Sequence, residues 1–132
     1  MNDFGLYRDD GLAILRNVNG QKSERIKKHL QSKFREYGLE IVIECNKAVV
    51  DFLDITLNLN DGTFKPYLKP DNTLQYINTQ SNHPPNVIRQ IPKTIEQRLS
   101  NHSSNEAIFN LAKLPYENAL KESGYKVNLS LN

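Results

Sequence analysis

One cysteine, Cys45, stands in the whole chain, so no internal disulfide can form, and a reducing intracellular compartment, nuclear or cytoplasmic, is expected. No apolar run approaches the roughly 20 residues that span a bilayer, which excludes a membrane-inserted helix. Met1-Asn2-Asp3 has neither the basic start nor the apolar core of a secretion signal. There is no Gly-rich phosphate loop, no internal repeat and no low-complexity tract, and His29, His83 and His102 fall at spacings that fit no zinc pattern. Neither sign of charge dominates. A net charge of +2 permits a nucleic-acid partner without demanding one. With 132 residues the chain suits one domain or two small lobes and can bury a core.

The most informative stretch is Tyr7-Arg8-Asp9-Asp10, set between Phe4-Gly5-Leu6 and Gly11-Leu12-Ala13-Ile14-Leu15. Neighbouring side chains on a strand point to opposite faces, so two adjacent acids flanked by apolar runs belong at a hairpin tip, where both can converge on one cation. Asp10-Gly11 supplies turn chemistry, because glycine tolerates the positive φ of tight hairpins.

Further along, Ser23 is a candidate N-cap for a helix whose Ile26, Leu30, Phe34 and Tyr37 form one apolar stripe, with Gly38 as its stop. Lys27, Lys28, Lys33 and Arg35 occupy the other face and read as a solvated surface. Residues 39–44 alternate as a half-buried strand, and Leu53, Ile55, Leu57 and Leu59 alternate with Asp54, Thr56 and Asn58 as another. Asn60-Asp61-Gly62-Thr63 is a hairpin turn signal, and the strand returning through Pro66 belongs at a sheet edge, since proline has no amide hydrogen for a ladder. Residues 71–85 form a polar connector. Asn86 or Ile91-Pro92 can open short helices carrying Val87, Ile88, Ile95 and Leu99. Ser103-Ser104-Asn105-Glu106 reads as a capping box ahead of a helix that buries Ile108, Leu111 and Ala112; Pro115 can begin a further helix that Gly124 ends. Cys45, near a turn, reads as a buried thiol rather than a nucleophile.

Paired carboxylates at a strand tip suit Mg²⁺, a hard cation that takes one or two protein carboxylates and leaves positions for water and phosphate oxygens. Phosphoryl transfer with two metal ions uses that arrangement, and it normally takes a further carboxylate from a neighbouring strand. The competing reading of a bare Asp-Asp-Gly is a solvated acidic turn.

In order and in motif, Tyr7-Arg8-Asp9-Asp10 between two short strands, then a helix, then Val50-Asp51-Phe52-Leu53-Asp54-Ile55 with its hairpin, resembles the C-terminal part of a reverse transcriptase palm. Lys65-Pro66-Tyr67-Leu68-Lys69-Pro70 and Gln80-Ser81-Asn82-His83-Pro84-Pro85 add a likeness to the Penelope-like and related reverse transcriptases of eukaryotic mobile elements, which share a Phe-Leu-Asp strand, a Lys-Pro segment and a Ser-x-His-Pro segment. The likeness covers nearly the whole chain. It implies an α+β fold: a partial antiparallel palm sheet with one packed helix over 1–70, the connector, and a small helical thumb-like lobe over 86–132. It also implies an RNA-directed DNA polymerase that takes an RNA template, a DNA primer and a deoxynucleoside triphosphate, with Mg²⁺, or Mn²⁺ in its place, as cofactor.

Carried over by residue, Asp9 is a metal-binding acid common to both ions, Asp10 an accessory acid, and Tyr7 lies beneath the primer terminus. Arg8 fills the variable position and receives no role. Phe52 and Leu53, with the turn at Gly62, form the primer grip, or else ordinary sheet core. Lys65, Lys69, Arg89, Lys93 and Arg98 are candidate contacts to the nucleic-acid backbone, or a solvated face. The chain departs from the family ahead of Phe4, where a palm strand bearing a bridging aspartate and the fingers are expected, and Asp3, Asp51 and Asp54 are the acids near enough in sequence to stand in. The expectation is a fragment without independent polymerase activity. The alternative is a non-catalytic remnant that binds nucleic acid or completes a partner, including self-association through an unpaired sheet edge.

Overall fold

The computed structural model describes residues 3–132, so Met1, Asn2 and the Asp3 carboxylate, with the expectations placed on them, lie outside the described residues. The chain is α+β. In order it forms β1 (Asp3–Tyr7), β2 (Asp10–Ile14), α1 (Gly20–Glu36), β3 (Val49–Phe52), β4 (Ile55–Asn58), β5 (Thr63–Pro66), α2 (Pro85–Asn101) and α3 (Glu106–Glu122). β1 and β2 make a two-stranded antiparallel sheet; β3, β4 and β5 make a second in that order, with β5 at an edge as its proline requires.

In the first hairpin Tyr7 pairs with Asp10, which leaves Arg8 and Asp9 as a two-residue loop. The positive φ falls on Arg8, at 52°, and not on Gly11. Gly11 instead sits in the ladder opposite Leu6, where a Cβ would meet Leu6 Cδ1 at 3.6 Å and Phe4 Cε2 at 3.8 Å. Those are ordinary contact distances, so the position needs neither glycine's φ nor its smallness, and the turn lies two residues before the Asp-Gly pair.

Asn19, rather than Ser23, caps α1: its side chain accepts a hydrogen bond from the Lys22 amide at 2.8 Å, while Ser23 is buried one turn in. Asparagine caps as well as serine, and the earlier residue takes the position. At the other end Gly38, at φ +77°, lets the Leu39 amide reach back to the Phe34 carbonyl at 3.0 Å, the closure that stops a helix with a left-handed residue. Residues 39–44 are extended but pair with no strand. They run back along α1, with Gln31 Nε2 donating to the Ile41 carbonyl at 3.4 Å and the Cys45 thiol donating to Glu24 Oε1 at 3.2 Å. The alternation is real, since Ile41 and Ile43 are half-buried and Val42 is 96% exposed, but a helix surface receives it instead of a ladder. Cys45 is correspondingly half-buried and off any strand.

The second sheet divides the strand expected through Leu53. Phe52 pairs with Ile55, so Leu53 and Asp54 form a tight turn in which Leu53 takes a φ of 54°. Leu59 falls beyond β4 and is exposed. The Asn60-Asp61-Gly62 turn forms as its chemistry dictates, with Gly62 at φ +72° and Asp61 Oδ1 accepting from the Thr63 amide and hydroxyl at 3.0 and 2.6 Å. Those two bonds hold the Asp61 carboxyl below its ordinary value of 3.8.

Neither Pro92 nor Pro115 starts or breaks a helix: α2 and α3 each run 17 residues with the proline inside. An interior proline costs about 3 kcal/mol through a lost hydrogen bond and a steric clash. Burial of Ile95, Leu99, Phe109 and Leu120 at the α2–α3 seam offsets it, at roughly 1.5–3 kcal/mol per side chain. Asn105 caps α3 by accepting from the Ile108 amide at 2.9 Å, so the Ser103 capping box does not form. Ser104 serves β5 instead: its amide donates to the Phe64 carbonyl at 3.0 Å and its hydroxyl accepts from the Phe64 amide at 3.1 Å. Ser103 is buried with its hydroxyl unpartnered. Ser103→Ala is therefore expected to raise stability by about 1 kcal/mol in urea unfolding, and a loss of that size would contradict it.

The buried face of α3 is not Ile108, Leu111 and Ala112. Phe109 is 0% exposed and Leu111 73%. Phe109, Leu120 and the C-terminal residues Tyr125 and Leu129 close on Ile95 and Leu99, with Tyr76, Ile88, Ile91 and Tyr116 packed around them. Residues 125–132 hold no helix or strand yet complete this core, tied down by Leu129 N–H to Glu117 Oε1 and Lys113 Nζ to the Leu129 carbonyl, each at 2.9 Å. Every buried apolar residue among those described lies at or beyond Ile95; before it only Ser23 and Thr56 are buried. Among the described residues, no helix is long and apolar enough to cross a membrane.

Candidate functional site

The acidic loop is presented by a hairpin whose strands hold it out in the open. Asp9 lies in the two-residue loop and Asp10 opens β2; both are exposed. Tyr7 and Asp10 are directly opposed, so their side chains share one sheet face with Leu12 and Ile14, the half-buried residues of β2. The Arg8 guanidinium stands 5.5 Å from the Tyr7 ring centroid, a cation–π contact of about 0.5–1 kcal/mol that partly offsets the left-handed backbone at Arg8. The variable residue of the motif thus has a structural part.

As donors, the two carboxylates match a hard divalent cation in kind, and their number is within what Mg²⁺ takes from protein. The other acids have partners of their own: Asp51 Oδ1 accepts from the Thr56 hydroxyl at 2.5 Å, and Asp54 pairs with Arg98 at 3.0 Å. Among the described residues, no group of three or more His, Cys, Asp or Glu side chains converges.

Of the expected primer-grip residues, Phe52 is half-buried on the sheet face that also carries Val50, Ile55, Leu57 and Phe64. Leu53 is not on a strand but in the β3–β4 turn, 46% exposed. Gly62 forms the β4–β5 turn. Lys65 is exposed on β5, and Lys69 is exposed beyond it. On the opposite sheet face the registers align Asp51, Thr56 and Lys65 across all three strands. That row looks into a cleft of about 470 Å³ whose other wall is α3, through Ile108, Leu111, Pro115 and Tyr116. The helix stripe expected in the core is the wall of an open cleft.

Arg89, Lys93 and Arg98 all lie on α2 and are exposed, but they are not equivalent. Arg89 bonds Asn86 one turn earlier. Arg98 reaches Asp54 in the β3–β4 turn and so links the sheet to the helical lobe. Lys93 has no ion pair among the described residues. Ser81 Oγ and His83 Nδ1, both in the Ser-x-His-Pro segment, lie 2.9 Å apart.

Tyr76 and Tyr116 flank the Arg98–Asp54 pair. Burial pushes the Tyr76 hydroxyl from 10.0 up to about 12, with Tyr116 adding to the shift and Arg98 opposing it. Burial also raises Tyr116, against Arg98 and with Asp54. A phenol raised in the folded state binds its proton more tightly there, so the stability it contributes is complete below pH 10 and is lost as pH rises through 12. Thermal unfolding is expected to show that decline, and Tyr76→Phe to make it shallower; an unchanged decline would contradict the assignment.

No family model, curated protein or solved structure matches the chain.

Proposed function

We propose that the chain is the C-terminal palm and thumb portion of an RNA-directed DNA polymerase of a retroelement, inactive in polymerisation by itself. The observation that carries the reading is the projection of Asp9 and Asp10, beside Tyr7, at the end of a two-stranded hairpin that is followed in order by a helix, a three-stranded hairpin sheet and a helical lobe. Asp9 and Asp10 would hold Mg²⁺, which when bound supplies Lewis-acid stabilisation of phosphate charge. Tyr7 shares the Asp10 face and would support a primer end there. Phe52, the Leu53 and Gly62 turns, Lys65 and Lys69 would bear on the primer, and Arg89, Lys93 and Arg98 on its backbone. A mechanism of this kind rests on positioned charge, and two carboxylates without a third give less of both charge and geometry.

Two measurements test the reading. Mn²⁺ added to isotope-labelled chain is expected to broaden the amide signals of Tyr7, Asp9, Asp10 and Gly11 selectively, and Asp9→Asn with Asp10→Asn to abolish the effect; uniform broadening would count against the metal site. In primer extension on an RNA template, incorporation by the chain is expected to match that of Asp9→Asn, and incorporation above that control would overturn the predicted inactivity.

A second reading, that the chain completes a partner polypeptide or a second copy, is favoured by a separate observation. The first half buries no apolar side chain among the described residues, while Phe4 and Leu6 are 60% and 69% exposed on a hairpin with an unpaired outer strand. Open strand edges with apolar faces recruit further strands. Sedimentation is expected to show association at high concentration. A stable monomer that also fails to bind primed template at low salt would leave this reading without support.

A further inference from the structure

The positive charge of this protein is concentrated on one element. α1 carries Lys22, Arg25, Lys27, Lys28, Lys33 and Arg35 against Glu24 and Glu36, a net of +4. The whole chain is +2, so everything outside α1 is −2. At 100° per residue, Arg25, Lys28, Ser32 and Arg35 form one row opposite the Ile26, Leu30 and Phe34 stripe, and Lys22, His29 and Lys33 form a second row on the flank between the two. All seven of these polar residues are exposed.

Two acids share the helix: Glu24, exposed, accepts from the Cys45 thiol at 3.2 Å, and Glu36 sits 3.8 Å from Lys33; with both counted the helix keeps its net of +4. Among the described residues Lys22, Arg25, Lys28 and Arg35 make no ion pair. From Lys22 to Arg35 the helix advances about 20 Å at 1.5 Å per residue. That equals the rise of roughly six base pairs of duplex, which presents a phosphate every 1.7 Å or so counting both strands.

We propose that the exposed face of α1 binds the phosphate backbone of nucleic acid without sequence preference. Arg25, Lys28 and Arg35 in one row, with Lys22 on its flank, none of them ion-paired among the described residues, complement a line of phosphates, and counterion release supplies the affinity. The rows contain no Phe, Tyr or Trp on which a base could stack, His29 being their one ring, so the surface reads mainly charge and spacing. An anionic membrane fits less well. A helix lying on a lipid surface inserts its apolar face. Here Ile26 and Leu30 are half-buried and Phe34, 40% exposed, is the one open member of the stripe, while residues 39–44 run back along the helix. The surface is separate from the acidic hairpin and does not depend on any polymerase role.

The test is fluorescence anisotropy of the full chain with a labelled duplex of arbitrary sequence, measured against salt concentration. The triple variant Arg25→Gln, Lys28→Gln, Arg35→Gln is expected to reduce the slope of log affinity against log salt by about 2–3, since each lost phosphate contact is worth about 0.9. At low salt its affinity is expected to fall at least tenfold. A second triple variant of equal charge change, Lys47→Gln, Lys121→Gln, Lys126→Gln, is expected to keep the original slope. Helix content of both triples is checked by circular dichroism, the changed residues all being exposed. Equal losses in the two triples would assign the binding to overall charge and overturn the proposal. So would an unchanged slope in the first triple, or binding to phosphatidylserine vesicles without binding to duplex.

Discussion

Phe109→Ala is expected to cost about 3–5 kcal/mol, the range for deleting a fully buried ring whose cavity the surroundings cannot refill. The ring is 0% exposed and belongs to one core cluster with Ile95, Leu99, Leu120, Tyr125 and Leu129, which come from α2, from α3 and from the tail. Removing it therefore loosens all three elements at once. A small domain has about 5–15 kcal/mol in total, so a loss of this size is a third or more of its stability. Urea unfolding followed by helix signal measures it. Leu111→Ala, two positions on but 73% exposed, is the internal control and should fall within about 0.5 kcal/mol of the parent. If the two substitutions cost the same, the core has been placed on the wrong face of α3.

Native-state hydrogen exchange should divide the chain in two. Amides of α2 and α3 are expected to be protected at least about 100-fold more than those of β1, β2 and α1, because opening free energy follows local burial of apolar contacts. Among the described residues, all seven buried apolar side chains, from Ile95 to Leu129, belong to the helical lobe or its tail, whereas the two buried residues of the first half are Ser23 and Thr56. Ladders of four or five residues without a packed face do not hold themselves closed for long. Thr56 and the strands around it should be intermediate, since Ser104 and the Arg98–Asp54 pair tie that sheet to the helices. Uniform protection across the chain would mean that the first half has a core of its own. A partner that covers the first half should raise its protection and leave α3 unchanged, which makes the same measurement a readout for the partner-completing reading.

Much of this architecture was legible in the residues, and the misses have particular causes. The β3–β4 turn was written in the parity of the apolar pattern. Val50 and Phe52 are even, Ile55 and Leu57 odd, and a two-residue turn is what shifts the parity while keeping one face apolar. Reading Leu53 into the alternation concealed it. The two prolines pointed to helix breaks because their cost is local, while the burial that offsets it lies across the α2–α3 seam. Of the candidate site, Tyr7, Asp9 and Asp10 fall at a hairpin end as their flanking strands implied. The Arg98–Asp54 link could not be read from residues 44 apart in the chain.

What the sequence alone determined is whatever depends on neighbours within a few residues. The glycine stops at Gly38 and Gly124, the Asp61-Gly62 turn, the amphipathic α1 and the edge placement of Pro66 are all of that kind, because backbone dihedral limits and side-chain periodicity act over one or two turns. Tertiary structure alone decided which of two apolar stripes on α3 is buried. Phe109 could enter the core only once α2 and the tail through Leu129 had converged on it, leaving Ile108 and Leu111 to line a cleft. It likewise sent residues 39–44 to a helix rather than a sheet, since a period of two says which side faces inward but not what lies there.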